Sequence, residues 1–131
     1  KESLDYISSQ IKFKRFVNLN VSGAFHSHFM KVSSQKFAEY LDDVVFNNPL
    51  FPVISNSNPT LCTDSRELKM RLKNQMCNGV RWRETMDLMK DKGNALQIVE
   101  IGPSSVLSGL AKRHLREVTI KQVSSSENLF Y

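Results

Sequence analysis

The residues of this 131-residue chain with the means to do chemistry are few: three histidines, two cysteines and a scatter of serines. His26 is the best placed of them. An alternating apolar run, Val17, Leu19 and Val21, predicts a strand over Phe16–Val21. Ser22 and Gly23 break that pattern, and His26 follows a few residues later with apolar neighbours on both sides. Strand ends in α/β proteins are where ligands bind and reactions occur. An imidazole at such a place can serve as a general base near neutral pH. On the residues alone, a half-buried loop histidine is the simpler reading.

The other reactive side chains form no recognisable centre. Cys62 and Cys77 make no C-x-x-C pair and have no histidine at metal-ligand spacing. They read as two inert thiols in a reducing compartment. The stretch nearest to a G-x-S-x-G nucleophile elbow is GPSSVLSG at Gly102–Gly109, and its spacing fails. Ser22 and Ser27 lie beside His26, but adjacency in a loop does not activate a hydroxyl. His114 falls near a helix C-terminus, where a positive charge is favoured, and reads as structural.

The elements that must position His26 are legible from periodicity. Leu4, Ile7 and Ile11 predict a helix over Ser3–Ile11. Phe37, Ala38, Leu41, Val44 and Val45 predict a second over Ser33–Phe46, with Ser33 or Ser34 as its cap. Phe51–Ser55 reads as a short strand and Asn56–Cys62 as a loop containing the turn signal Asn58–Pro59. Asp64 or Ser65 opens a helix carrying Leu68, Leu72 and Met76, stopped by Asn78–Gly79. Trp82, Met86 and Met89 place a core stripe on a helix over Trp82–Lys92, closed by Gly93. Ala95–Ile101 is nearly continuous in apolar residues, as expected of a parallel strand buried on both faces. Gly102–Pro103 ends it, Ser104 or Ser105 caps a helix with Val106, Leu107, Leu110 and Ala111 on its core face, and Thr119–Val123 is a last strand. Ser124–Tyr131 reads as a fraying polar tail. Strands alternating with helices predict an α/β fold with a parallel sheet.

Composition is that of a globular domain, with 40% hydrophobic and 24% charged residues. No apolar run approaches the ~18 residues of a membrane span. The opening stretch KESLDYISSQ has no secretory pattern and reads as helix interior. The net charge is +5, but the basic clusters Lys12–Arg15, Arg81–Arg83 and Lys112–Arg116 lack the aromatics or fold signature of a nucleic-acid binder. They read as solvated surface. Neither nucleic acid nor membrane is an expected partner, and a cytoplasmic location is expected.

A resemblance raises the standing of His26. GAFHSHFMK resembles the histidine motif of the malonyl-CoA:acyl-carrier-protein transacylases and related acyltransferase domains. PVISN at Pro52–Asn56, VRW at Val80–Trp82 and EIGPSSVLSGLAKR at Glu100–Arg113 follow in that family's order. The match covers nearly the whole chain and corresponds to the C-terminal part of the family. It implies the C-terminal part of an α/β-hydrolase-like parallel-sheet core over residues 22–131. Residues 1–21 would then be the last helix and strand of an inserted ferredoxin-like subdomain.

The function so implied is malonyl transfer from coenzyme A to acyl carrier protein in fatty-acid synthesis, through a malonyl-serine. The thioester is a substrate, and no resident cofactor or metal is implied. His26 matches the catalytic histidine. Asn78 matches the position whose backbone carbonyl orients that imidazole. Phe25 matches a position that tracks with acyl choice, a bulky ring resembling the malonyl-selecting form. The family's nucleophilic serine, oxyanion-hole glutamine and carboxylate-gripping arginine have no counterpart here. The resemblance therefore implies a missing N-terminal half as partner and an isolated chain without activity. A polyketide-synthase acyltransferase piece and a non-catalytic module retaining the fold are the competing readings. Val32, Gly79 and Ser104 depart from the family pattern, and Ser104 would be costly if its position required a positive φ.

Overall fold

Among the described residues, two small sheets, each with helices against it, account for the packing. The computed structural model describes residues 2–14, 16–17, 21–91, 97–115 and 117–127. Helix α1 is Glu2–Gln10, α2 is Lys31–Asp42, α3 is Ser65–Asn74, α4 is Trp82–Asp91 and α5 is Val106–His114. Strands β1 (Val53–Ser55) and β2 (Asn58–Cys62) form an antiparallel hairpin, and β3 (Gln97–Ile101) runs parallel to β4 (Thr119–Val123).

The parallel pair with α4 and α5 holds the apolar core. Met86, Ala111 and Leu115 are buried together, and Trp82, Met89, Ile98, Val118 and Ile120 pack around them. The predicted stripe on α4 is thus core, and burying one such side chain contributes about 1.5–3 kcal/mol. His114 on α5 pairs with Asp87 on α4 at 2.6 Å, which ties the two helices at their polar margin.

Strand β3 differs from its prediction as a strand buried on both faces. One face carries Ile98 into the core, while Val99 and Ile101 on the other stay exposed. Val106 and Leu107 at the start of α5 are exposed as well, so Leu110 and Ala111 alone hold to the predicted core face. The start of α5 is not capped by a serine either. Ser105 makes no side-chain bond there. The Glu100 carboxylate of β3 accepts instead from the amides of Leu107 (3.2 Å) and Ser108 (2.8 Å). The turn between them takes its positive φ of 151° at Gly102, so Ser104 carries no such strain.

Contact with the buried Ser108 hydroxyl, then the two amides, holds the Glu100 carboxyl below the usual carboxylate range against the opposing effect of burial. A depressed folded-state pKa gives stability that is present above the unfolded value and lost as pH falls through the folded one. Acid titration of the chain should therefore show a loss of stability below about pH 4, and Glu100→Gln should flatten that loss. An identical acid profile in the variant would contradict the cap.

Helix α2 begins earlier and ends earlier than its periodicity predicts. A 3-10 turn at His28–Met30 runs straight into it, so neither Ser33 nor Ser34 is the cap. Ser34 is instead buried and donates to the Lys73 carbonyl at 2.8 Å. The other end stops at Asp42, where the Lys69 ammonium takes the carbonyls of Asp42 (3.0 Å) and Val44 (2.9 Å). Val44 and Val45 then lie beyond the helix and are exposed. A Lys73–Asp42 ion pair joins α2 to α3, and Lys73 holds Asp42 below the ordinary carboxylate range.

The loop predicted over Asn56–Cys62 is wrong for most of its length, because Asn58–Cys62 is β2. Asn58–Pro59 looked like a turn, yet proline is tolerated on an edge strand, and the turn itself falls at Asn56 and Ser57. The helix after it is capped as predicted, Asp64 accepting from Glu67 N at 2.8 Å. It ends at Asn74, short of Asn78–Gly79, and a turn over residues 75–77 follows. Residues 16, 17 and 21 are not in a strand, and 18–20 lie outside the described residues, as do Ala95, Leu96 and Gly93.

Candidate active site

The site is a loop gripped by the end of a helix. An α-helix leaves its last carbonyls without amide partners. The turn that follows α3 adds carbonyls of its own, and three of them, those of Gln75, Met76 and Asn78, meet His26. The His26 amide donates to Met76 O at 2.7 Å. Its Nδ1 lies 3.2 Å from Gln75 O and 3.1 Å from Asn78 O.

Carbonyl oxygens only accept, so Nδ1 carries the hydrogen and donates to both. That tautomer leaves the Nε2 lone pair free to take a proton. His26 has φ 65°, and it is the one non-glycine residue with positive φ among the described residues. Left-handed backbone is costly for a side-chain-bearing residue and persists where surrounding contacts enforce it. Here three carbonyls do so. The imidazole is exposed, which gives a proton donor access to it.

Neighbouring side chains support the loop and do not compete for the ring. Ser27 Oγ donates to Ala24 O at 2.6 Å, so its proton is engaged by backbone and not by His26. Phe25 is half exposed at 52% and lies over Gly23, where an added Cβ would meet the ring at 3.1 Å. A side chain at Gly23 would therefore push Phe25 aside. His28 stacks on Phe29 with ring centres 4.0 Å apart.

The carbonyl-bearing turn is anchored on both sides. Arg81 N donates to Asn56 O at 2.8 Å, which pins the turn's exit to the β1–β2 hairpin. Arg71, buried on α3, spreads its guanidinium over that hairpin. It donates to Asn58 O (3.2 Å), Thr60 O (2.9 Å) and Thr60 Oγ1 (2.8 Å), and pairs with Glu67. Ser34 and Lys73 fix α2, which follows the His26 loop, to the same helix.

The structure thus brings together His26 and the carbonyl of Asn78, with Phe25 next in chain. Sequence reasoning missed Gln75, whose carbonyl is the second acceptor. A backbone oxygen leaves no side-chain signature, and only its place at a helix end could have pointed to it. Arg71 and Ser34 were missed too, because a polar residue on a helix gives no sign of being buried. Among the described residues no group of three or more metal-ligating side chains occurs, and no helix is long and apolar enough to cross a membrane.

No family model matches the chain. It is 40% identical over 126 residues to the malonyl CoA-acyl carrier protein transacylase of Synechocystis, covering 96% of this chain and 43% of that protein. The crystal structure of the Synechocystis malonyl-CoA:ACP transacylase matches it with a TM-score of 0.88 over 98% of this chain and 43% of the other. A malonyl-transacylase solved in complex with a type II polyketide acyl-carrier protein is 34% identical, with a TM-score of 0.80 over 88% of this chain and 37% of that one. The chain spans less than half the length of these relatives. Agreement in sequence and in backbone over nearly all of its residues makes this chain homologous to a part, less than half in length, of the malonyl-CoA:acyl-carrier-protein transacylases.

Proposed function

We propose that the chain supplies the histidine half of a malonyl-CoA:acyl-carrier-protein transacylase. The observation that carries this is the pair of carbonyls holding His26 Nδ1–H and freeing Nε2. The nucleophilic serine comes from a segment outside these 131 residues. Residues 22–131 are read as the C-terminal part of the α/β-hydrolase-like core and residues 1–21 as the close of the ferredoxin-like insert, in a cytoplasmic enzyme.

In the first half-reaction His26 Nε2 takes the serine proton as the oxygen attacks the malonyl thioester. The C–S bond breaks, the imidazolium returns the proton to the coenzyme A thiolate, and a malonyl-serine ester remains. In the second, Nε2 takes the proton of the carrier-protein thiol as its sulfur attacks that ester. The C–O bond breaks and the serine oxygen recovers the proton. Neutral carbonyls in place of a carboxylate fix the tautomer while stabilising the imidazolium less. A thioester is an activated acyl donor, so this suffices. Acyl-carrier protein as acceptor is supported by the relative solved with such a partner.

The test is malonyl transfer from malonyl-CoA to acyl carrier protein by this chain together with the serine-bearing segment. Transfer is expected from the two together and from neither alone; transfer by the chain alone would overturn the division of labour.

Phe25 is assigned to the acyl pocket, its ring occupying the space an α-methyl group would need. Exclusion of one methyl is worth roughly 1–3 kcal/mol. Phe25→Ser should thus cut the preference for malonyl over methylmalonyl donors by about tenfold or more. An unchanged ratio of kcat/KM for the two donors would remove Phe25 from the pocket.

A further inference from the structure

The two carbonyls that hold the His26 ring are not equally fixed. We propose that Gly79 is a positioning residue for His26: it lets the Asn78–Gly79 peptide turn over, so that the Nδ1 hydrogen passes between two carbonyl acceptors and one. This rests on the reading of His26 as the base.

Turning a peptide over rotates ψ of the residue before it and φ of the residue after it. Type I and type II turns differ in this way, and the second puts a positive φ on the following residue. The carbonyl of Gln75 precedes Met76, for which a positive φ is costly. The carbonyl of Asn78 precedes Gly79, which takes either sign with little penalty. Of the two acceptors on Nδ1, only that of Asn78 is therefore free to swing.

Nothing in the resting turn calls for a glycine. The φ of Gly79 is not positive, and a Cβ added there would meet nothing within 4 Å. Its amide is exposed and, among the described residues, donates no hydrogen bond. Bonds on either side hold the chain in place: Cys77 N donates to Asn74 O at 3.2 Å, and Arg81 N to Asn56 O at 2.8 Å. A turned peptide leaves both intact. It gives up the 3.1 Å contact between Nδ1 and Asn78 O, while Gln75 O stays at 3.2 Å and keeps the ring in its tautomer. Asn78 is exposed, so water satisfies the released carbonyl.

The swing has a chemical consequence. Hydrogen bonds to the charged form of a group favour that form, so two carbonyls on Nδ1–H stabilise the imidazolium more than one does. With Asn78 O engaged, His26 is the stronger base. With it turned away, the imidazolium is the stronger acid. Proton uptake and proton return, both required of His26 in each half-reaction, ask for these two states in turn.

The experiment labels the complete enzyme with ¹⁵N-glycine and ¹⁵N-histidine and records NMR relaxation dispersion at the Gly79 amide and at His26 Nδ1. Gly79→Ala and His26→Asn assign the two signals by their loss. Exchange at one common rate is expected at both nuclei. Gly79→Ala should lower the population of the turned peptide by about tenfold and quench the exchange at Nδ1. Gly79→Asn, which tolerates a positive φ better than alanine, should keep part of it. Flat dispersion at either nucleus in the parent enzyme, or undiminished exchange at Nδ1 in Gly79→Ala, would overturn the inference. The alanine variant should also keep or raise its Tm. A lowered Tm would show that the resting turn itself needs glycine, and would overturn the inference as well. Malonyl transfer measured on the same parent sample separates the two readings. Exchange without transfer fails the catalytic one alone, and transfer without exchange fails this one.

Discussion

In the complete enzyme, His26→Ala is expected to lower kcat/KM for malonyl transfer by about 100- to 10,000-fold. The proposed mechanism makes the ring the base in both half-reactions, so neither step escapes the loss. Substrate contacts elsewhere are untouched, so KM for malonyl-CoA should move far less than kcat. The backbone should hold, because the His26 amide bond to Met76 O does not need the imidazole. His26→Asn is the stricter control. Its amide group can donate to Gln75 O and Asn78 O and so preserve the loop, yet it offers no basic nitrogen. Equal losses in the two variants would assign the effect to proton transfer. Recovery of activity in His26→Asn would show that the residue is only a brace.

The second large effect is on stability. Arg71→Ala should destabilise the chain by about 2–4 kcal/mol, read as a lower midpoint in chemical denaturation. Arg71 is 7% exposed and its partner Glu67 43%, so the ion pair itself is half solvated and worth little. Most of the cost lies in the hairpin. Removing the guanidinium takes a donor from Asn58 O, Thr60 O and Thr60 Oγ1. It also removes the packing of a long stem between α3 and β2. Arg71→Met restores that stem without the donors and should recover only part of the loss. A change below about 0.5 kcal/mol in Arg71→Ala would show that the carbonyls find other partners. Because α3 delivers the turn that holds His26, the same variant should slow malonyl transfer in the complete enzyme.

How far the fold can be read from sequence depends on whether its cause is local. Asp64 caps α3 with its own side chain, and Trp82, Met86 and Met89 mark α4 by a stripe that periodicity exposes. The predicted last strand, Thr119–Val123, has the bounds of β4. Where the cause is distant, the reading slipped. Helix α2 ends at Asp42 because Lys69, on another helix, takes its carbonyls. Asn58–Pro59 carries a turn signal, yet pairing with β1 makes it strand. The apolar run at β3 suggested burial on two faces, and this chain covers one. The site divides in the same way. His26 and Phe25 stand in a motif that sequence can show. The carbonyl of Asn78 came through resemblance, and that of Gln75 did not come at all, since any residue at a helix end presents the same oxygen.

In the proposed function, His26 activates a serine that another segment carries. Intact-mass spectrometry after mixing with malonyl-CoA tests this directly, run on the chain alone and then with the serine-bearing polypeptide. The predicted result is a malonyl adduct on that second polypeptide, dependent on this chain and lost in His26→Ala. An adduct that forms without the chain, or one that survives His26→Ala at full rate, would contradict it.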